Sequence, residues 1–407
     1  MSKKRIFVVE PQLVFLDGHE HTQIKAIEVL LPDCDVFVFT RQDFRLSGTL
    51  DHPNLMPVLP KALENGGQNS PTHDEKEQVT PGPEGERYQA FADTLHSTLS
   101  RLKAAATDCV LVPSASHETI SAAISICERT DSSAVPPFKL RILSDVILAD
   151  LEPRLLKRLR DICLSGRIGL VTETIELRKH IEQHFKIPVY GQLMLPCTLM
   201  PGEEMPASKG SDDAFVIGVL GRQRAEKGSY RIPAILNHLR TLAAERDSGL
   251  RFRIKYQAVR SKRARRLVLK IRSWLGRHKN PNVTMEYLTS GMSEEEFRRL
   301  VCGVDILLLP YSTKRYGLSG SGIVVDGVLA GKPFVYSRGM ANQELLSLGN
   351  AEAAAGDREF AEKILTVAEN YQRYIEGAKK AAEHSNAVFA NIPLALDAVE
   401  EPVARKA

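Results

Sequence analysis

Two successive series of strand-like runs, each interleaved with stretches of helical period, limit this chain more than any other feature. In the first half "RIFVVE", "DVFVFT", "DCVLVPS", "KLRILSDV", "RIGLVTET" and "VYGQLML" alternate with helical stretches such as residues 18–31. Strands separated by helices predict a parallel sheet built from βαβ units. The segment "LPCTLMPGEEMPASKGSDD", residues 195–213, interrupts the rhythm. It then restarts with "AFVIGVLG", an all-apolar strand suited to the middle of a parallel sheet. A helix over about 229–244 follows, with Ile232, Ile235, Leu236, Leu239 and Leu242 at helical spacing. "FRIKYQA" alternates and predicts a strand with one wet face, "NVTMEYL" and "DILLLP" continue the sheet, and "SEEE" at 293–296 reads as a capping box. The expected fold class is α/β, with two sheets in two domains facing each other across a cleft, where a ligand would sit.

The boundaries follow from punctuation. A chain of 407 residues exceeds one ordinary core and fits two domains of roughly 150 to 200 residues. Residues 1–198 form the first domain, 199–212 the linker, 213–375 the second domain and 376–407 a C-terminal helix and tail, with the C-terminal helices crossing back to the first domain. Residues 61–86, rich in Gly, Pro and polar side chains, read as a flexible surface insertion. No repeat of solenoid length is visible.

Composition sets the class: 43% hydrophobic and 26% charged residues describe a soluble globular chain. The start "MSKKRIFVVEPQLVFLDG" reads as a first strand and turn rather than a signal peptide. No apolar stretch reaches the roughly 20 residues that span a bilayer, so a cytoplasmic protein with at most peripheral membrane contact is expected. Six scattered cysteines without metal-like spacing fit reduced thiols.

A phosphate-binding pattern stands in the second half. In "STKRYGLSGSGIVVDGVLAGKPFVY", residues 312–336, Ser321 caps a short helix that starts at Gly322 and runs to about Ala330. Glycines on both sides of Ser321 leave backbone N–H groups and the positive end of the helix dipole open to an anion. Asp326 lies one turn on, and one turn advances about 5.4 Å. That spacing lets the loop hold phosphate while Asp326 accepts ribose hydroxyls. "VLGRQRAEKG", residues 219–228, leaves another buried strand through Gly221 and carries Arg222, Arg224 and Lys227. Together these loops point to a diphosphate; a plain turn and a solvated charge cluster remain the bland alternatives.

These residues resemble a family. "GRQRAEKG" is similar to the G-R-x-x-x-E-K-G loop of the retaining nucleotide-sugar glycosyltransferases of GT-B architecture (group 1, family 4-like), which have two Rossmann-like domains. "DILLLPYSTKRYGLSGSGIVVDGVLAGKPFVY" resembles that branch's later signature, and "GLVTETIELRKHIEQHFKIPVYGQLMLPCTL" the close of its first domain. The resemblance implies that Arg222 and Lys227 neutralise the donor diphosphate and stabilise the leaving group, with Gly221 and Arg224 beside them. It gives Gly320, Ser321 and Gly322 backbone contacts to phosphate or sugar, places Asp326 on the ribose, and matches Glu344 to an acidic donor-site residue. Two departures stand out: Asp326 replaces a glutamate, and Leu318 occupies the position of the motif's first glutamate.

In the first half, His117 follows a strand and opens a helix, a position from which the resembling enzymes reach the transferred sugar. Gly18 and His19, in "DGHEHTQ", are acceptor-side candidates. His19 and His21 point to opposite sides of a helix and do not share a metal. "DCD" at 33–35 lies in a turn before a strand, and no metal or other cofactor is expected, since cationic side chains supply the charge stabilisation. No serine or cysteine nucleophile motif appears and no GxGxxG follows the first strand, against a dinucleotide dehydrogenase.

Between Asp247 and Glu286 there is no carboxylate, while Arg251 to Lys279 holds twelve Lys and Arg in a chain of net charge only +4. Residues 260–279 read as a helix with a basic face, either solvated or set against an anionic membrane, where each cation adds about 1 kcal/mol. Nucleic acid is disfavoured because no aromatic interleaving accompanies the charge. The function expected is transfer of a sugar from a nucleoside-diphosphate donor to a saccharide or lipid-linked acceptor in cell-envelope or polysaccharide assembly. A nucleotide-sugar epimerase and a noncatalytic scaffold of the same architecture stay open.

Overall fold

The computed structural model describes residues 3–13, 19–43, 54–61, 83–203, 214–246, 249–257, 282–288 and 292–392. The basic stretch 260–279, most of the 61–86 insertion, Gly18 and most of the linker lie outside the described residues. The chain divides into two compact units. The first holds Met1–Glu173, Leu177–Leu195 and Ile392–Ala407, and the second holds Thr174–Glu176 and Pro196–Asn391.

The first unit is a parallel sheet of β1 (Lys4–Val9), β2 (Cys34–Arg41), β3 (Leu55–Leu59), β4 (Cys109–Val112), β5 (Phe138–Ile142), β6 (Ile168–Thr172) and β7 (Val189–Gln192), in the order β3-β2-β1-β4-β5-β6-β7. Its helices are α1 (His19–Leu30), α2 (Pro83–Arg101), α3 (His117–Arg129), α4 (Val146–Ala149), α5 (Pro153–Leu164) and α6 (Ile175–His180). Strands β4, β5 and β6 are buried along their whole length, as expected where helices cover both faces.

The structure adds elements that the pattern of residues concealed. β3 carries Pro57, which lacks a ladder donor; the strand lies at the sheet edge, where one unpaired side makes proline tolerable. Residues Pro83–Glu86, read as part of the insertion, open α2 instead. Proline suits a first helical turn, whose N–H groups lack intrahelical partners in any case.

The second unit repeats the plan. Strands β8 (Ala214–Val219), β9 (Arg251–Gln257), β10 (Val283–Leu288), β11 (Ile306–Leu309), β12 (Phe334–Ser337) and β13 (Ala351–Ala354) are all parallel, in the order β10-β9-β8-β11-β12-β13. The helices are α7 (Ile232–Glu245), α8 (Glu294–Cys302), α9 (Thr313–Tyr316), α10 (Gly322–Leu329), α11 (Gln343–Leu346), α12 (Asp357–Glu369) and α13 (Tyr371–Ala390). Helix α13 belongs to the second unit, and the chain groups with the first only from Ile392.

Helix α7 buries Ile232, Ile235, Leu236 and Leu239 completely against the sheet. Each contributes about 1.5–3 kcal/mol. The capping box at Ser293 and Glu296 is formed, with Glu296 N donating to Ser293 Oγ at 3.2 Å and Ser293 N to Glu296 Oε2 at 2.7 Å. Among the described residues no helix is long and apolar enough to cross a membrane.

Helix α10 sits close on the sheet because Gly327 has no side chain. A Cβ there would come 2.2 Å from Leu307 Cδ1 and 2.6 Å from Phe334. Gly327→Ala is expected to cost about 1–3 kcal/mol through overpacking, read as a lower urea midpoint in denaturation. An unchanged midpoint would mean that α10 stands off from β11 and β12.

Candidate functional site

In the second sheet the chain leaves β8 for β9 on one side, and leaves β11 for β12 on the other. The loops after β8 and β11 therefore depart in opposite directions from adjacent strands. In an open parallel sheet this reversal, at the carboxyl ends of the strands, leaves the crevice that takes ligands. Both loops singled out by sequence stand there: residues 220–231 follow β8, and residues 310–321 follow β11.

The two loops are fastened together. Ser312 N donates to Glu226 O at 2.8 Å. Gly228, at φ +68°, passes so near the second loop that a Cβ would come 1.9 Å from Pro310 O. Lys227 Nζ lies 5.3 Å from the ring centroid of Tyr311, a cation–π distance.

The turn after β8 is held from inside. Gly221, at φ +80°, donates its N–H to Gln257 Oε1 from the end of β9 at 2.7 Å. Gln223 Nε2 donates to the carbonyls of Val219, Leu220 and Gly221 at 3.3, 3.2 and 3.0 Å. A Cβ on Gly221 would meet Lys227 Nζ at 2.8 Å and Ile323 Cδ1 at 3.3 Å, so the lysine folds back over the turn toward the start of α10.

The cations differ in their surroundings. Arg222 is exposed, and Arg224 pairs with Glu226 at 3.3 Å on the surface. Lys227 is half-buried and forms no ion pair with another described residue; burial holds its ammonium below the usual lysine range. A half-buried cation without a counter-ion is a cost that an anionic ligand relieves.

At the start of α10, Ser321 is the N-cap residue, but its hydroxyl makes no capping bond. Its N–H donates to Asn342 Oδ1 at 3.1 Å. The N–H groups of Gly322 and Ile323 have no partner among the described residues, as the first turn of a helix dictates. Gly320 immediately precedes them. Glu344 stands half-buried in α11, beyond the same sheet edge.

Asp326 departs from the sequence reading. It is 1% exposed, and its Oδ1 accepts hydrogen bonds from Thr198 N at 2.8 Å and Leu199 N at 3.1 Å. The carboxylate thus anchors the start of the second unit and does not face a ribose. The physical reason is reach: on an eight-residue helix whose central residues are all buried, a short aspartate satisfies the backbone packed against it. Burial lifts its pKa to about 6 despite the two N–H donors.

In the first unit His117 begins α3 behind Ser116, whose side chain accepts from Thr119 N in a capping box. The ring is half-buried with Nε2 3.0 Å from Ile147 O. His19 begins α1; its side chain lies outside the described residues, as does Gly18. Sequence reading missed Glu10 at the end of β1, beside that sheet's own reversal point. It is 1% exposed, Gln12 N donates to its Oε1 at 3.1 Å, and burial raises its pKa to about 7. Sequence reading also missed Gln223, Gln257 and Asn342; the only prior signal was a polar amide inside a turn or at a strand end.

Among the described residues no group of three or more His, Cys, Asp or Glu side chains is arranged to hold a metal. No family model and no curated protein sequence matches the chain. Solved structures do match in fold. A glycosyltransferase from Rickettsia africae superposes with a TM-score of 0.64 at 12% identity, over 97% of both chains. Sucrose-phosphate synthase from Thermosynechococcus elongatus gives 0.63 at 11% identity, over 97% of both. Anabaena HepE, crystallised with UDP and glucose, gives 0.58 at 13% identity, over 97% of this chain and 98% of its own. The fold is therefore GT-B, with two Rossmann-like sheets.

The raised pKa of Asp326 has a definite sign. The folded state holds this proton up to about pH 6, whereas an unfolded aspartate releases it near its ordinary value of 3.8. Its contribution to stability is fully present below the unfolded value and is lost as pH rises through the folded one. The loss is of the order of 3 kcal/mol. Asp326→Asn keeps the Oδ1 acceptor and removes the charge. Its melting temperature is expected to gain on wild type between pH 4 and pH 7.5; a constant difference across that range would refute the assignment.

Proposed function

We propose that this chain is a glycosyltransferase that moves a hexose from a nucleoside diphosphate to a hydroxyl of a saccharide or lipid-linked acceptor, with retention at the anomeric carbon. The observation that carries this reading is the meeting of two loops at the reversal point of the second sheet. One brings a half-buried lysine that has no counter-ion among the described residues, the other an uncapped helix start. That combination suits a pyrophosphate: fixed amides for one phosphoryl group and a mobile cation for its neighbour. Support also comes from the fold, shared with proteins described as glycosyltransferases and, for HepE, crystallised with UDP and glucose.

In this reading Lys227 and Arg222 stabilise charge on the departing diphosphate, and Gly221 gives the backbone room to approach it. Arg224 adds field from the rim. Gly320, Ser321 and Gly322 offer amides, and Glu344 meets the sugar. His117 hydrogen-bonds the transferred sugar or the acceptor from the first unit, on the side assigned to Gly18 and His19. Acceleration comes from positioning and from electrostatic stabilisation of the leaving group, without a metal or other cofactor. A role in cell-envelope or polysaccharide assembly at the inner membrane face, with 260–279 touching anionic lipid, belongs to the same proposal.

Thermal-shift titration with UDP, GDP and ADP tests the first step. One of them is expected to raise the melting temperature of wild type, and Lys227→Ala to weaken that ligand by about tenfold or more, since loss of a charge-assisted bond costs about 1.5–3 kcal/mol. Arg222→Ala, being exposed, is expected to weaken it less. No response to any of the three nucleotides would leave a noncatalytic scaffold as the better account. Product analysis with donor alone separates transferase from epimerase: a new nucleotide sugar without acceptor would favour the epimerase.

A further inference from the structure

Asn342 immediately precedes α11 and lies beside the uncapped start of α10. It is 1% exposed and held in the left-handed region at φ +66°, a conformation that asparagine and aspartate tolerate better than most residues. Its side-chain orientation is fixed by chemistry. Ser321 N is a donor and needs an acceptor, so the atom 3.1 Å from it is Oδ1 and the other end of the amide is the NH₂ group. That Nδ2 is buried and has no hydrogen-bond partner among the described residues. Its backbone is pinned separately: Asn342 N and Gln343 N donate to Glu176 Oε2 and Oε1 at 3.4 and 3.1 Å, and Glu176 groups with the second unit.

A buried amide donor left unsatisfied costs about 1–3 kcal/mol, so such groups call for an explanation. Here the amide's other end holds Ser321, the residue just before the open N–H groups of Gly322 and Ile323, and both Ile323 and Lys227 Nζ crowd the space beside Gly221. Every one of these is a donor or a cation, and Asp326, the nearby carboxylate of α10, is turned to Thr198 and Leu199.

We propose that Asn342 is a further binding residue of this site, giving its Nδ2–H to the distal phosphate of a nucleoside diphosphate while its Oδ1 holds the loop at Ser321. The inference rests on the nucleotide-sugar reading above and deepens it. Asn342 acts on the anion itself and also sets the position of the amides at the head of α10.

The test uses the full chain, titrated calorimetrically with inorganic pyrophosphate, with UDP, GDP and ADP, and with their monophosphates. Asn342→Asp keeps an acceptor for Ser321 N and the tolerance for positive φ, but replaces the donor with a negative oxygen. It is expected to weaken the diphosphate that wild type binds by about tenfold or more, and the monophosphate by less than about twofold. Asn342→Gly, which suits the backbone and carries no charge, is expected to weaken the diphosphate by about three- to tenfold. If repulsion from Glu176 unfolds the aspartate variant, seen by circular dichroism, the glycine variant decides.

Unchanged diphosphate affinity in a folded variant would overturn the proposal and leave the nucleotide reading intact. Equal losses for mono- and diphosphate would also overturn it, by placing the residue at the nucleoside end or in the fold alone. Failure of wild type to bind pyrophosphate or any nucleotide would remove both readings together.

Discussion

The second unit depends on one topological constraint. Its parallel strands run from β8 through β9 to β10 on one side and from β11 through β12 to β13 on the other, so the direction reverses between β8 and β11. In an open parallel sheet such a reversal leaves a crevice at the carboxyl ends of the two strands. Their exit loops stand there on a rigid base, with Arg222 exposed and Lys227 half-buried. The glycines at 221 and 228 let one loop fold tightly enough to reach the other, with backbone approaching backbone at Pro310. Rigid strands and glycine turns, rather than long flexible arms, set where Lys227 lies.

The electrostatics of the unit follow from that base. The site collects donors and cations: backbone N–H groups at the head of α10, the Asn342 amide, Lys227 and Arg222. Of the carboxylates near it, Glu226 pairs with Arg224, Asp326 accepts from the backbone of Thr198 and Leu199, and Glu176 accepts from the backbone of Asn342 and Gln343, while Glu344 stands half-buried beside them. A region in which three of these acids are bonded internally while its donors stay open favours anions. The same bookkeeping explains why Asp326 remains protonatable near pH 6: two N–H donors do not fully offset the loss of water around a buried charge.

Much of the architecture was legible in the chain. Apolar runs gave nearly every central strand, because strands buried on both faces admit few polar residues. The helix starts expected at His117, Ser293 and Gly322 are formed, with a capping box at Ser293 and no side-chain cap at Ser321. The edges were harder. β3 with its proline and β13 with its alanines carry little strand signal, since an edge strand is held by its neighbour's ladder more than by its own side chains. At the site, the residue types and loops were legible, but partners were not. The separation that defeats sequence reasoning is plain in Asp326 and Thr198, which are distant in the chain and in hydrogen-bond contact in the fold.

By itself the sequence determined the elements and the chemistry available to them: alternation specified two parallel sheets, and glycine, serine and basic residues specified loops able to meet an anion. Only the tertiary structure decided which groups remain free to do so. Hydrogen bonds across the fold assign each donor and acceptor a partner or leave it open, and that assignment turned Asp326 inward and left Asn342 Nδ2 without one among the described residues.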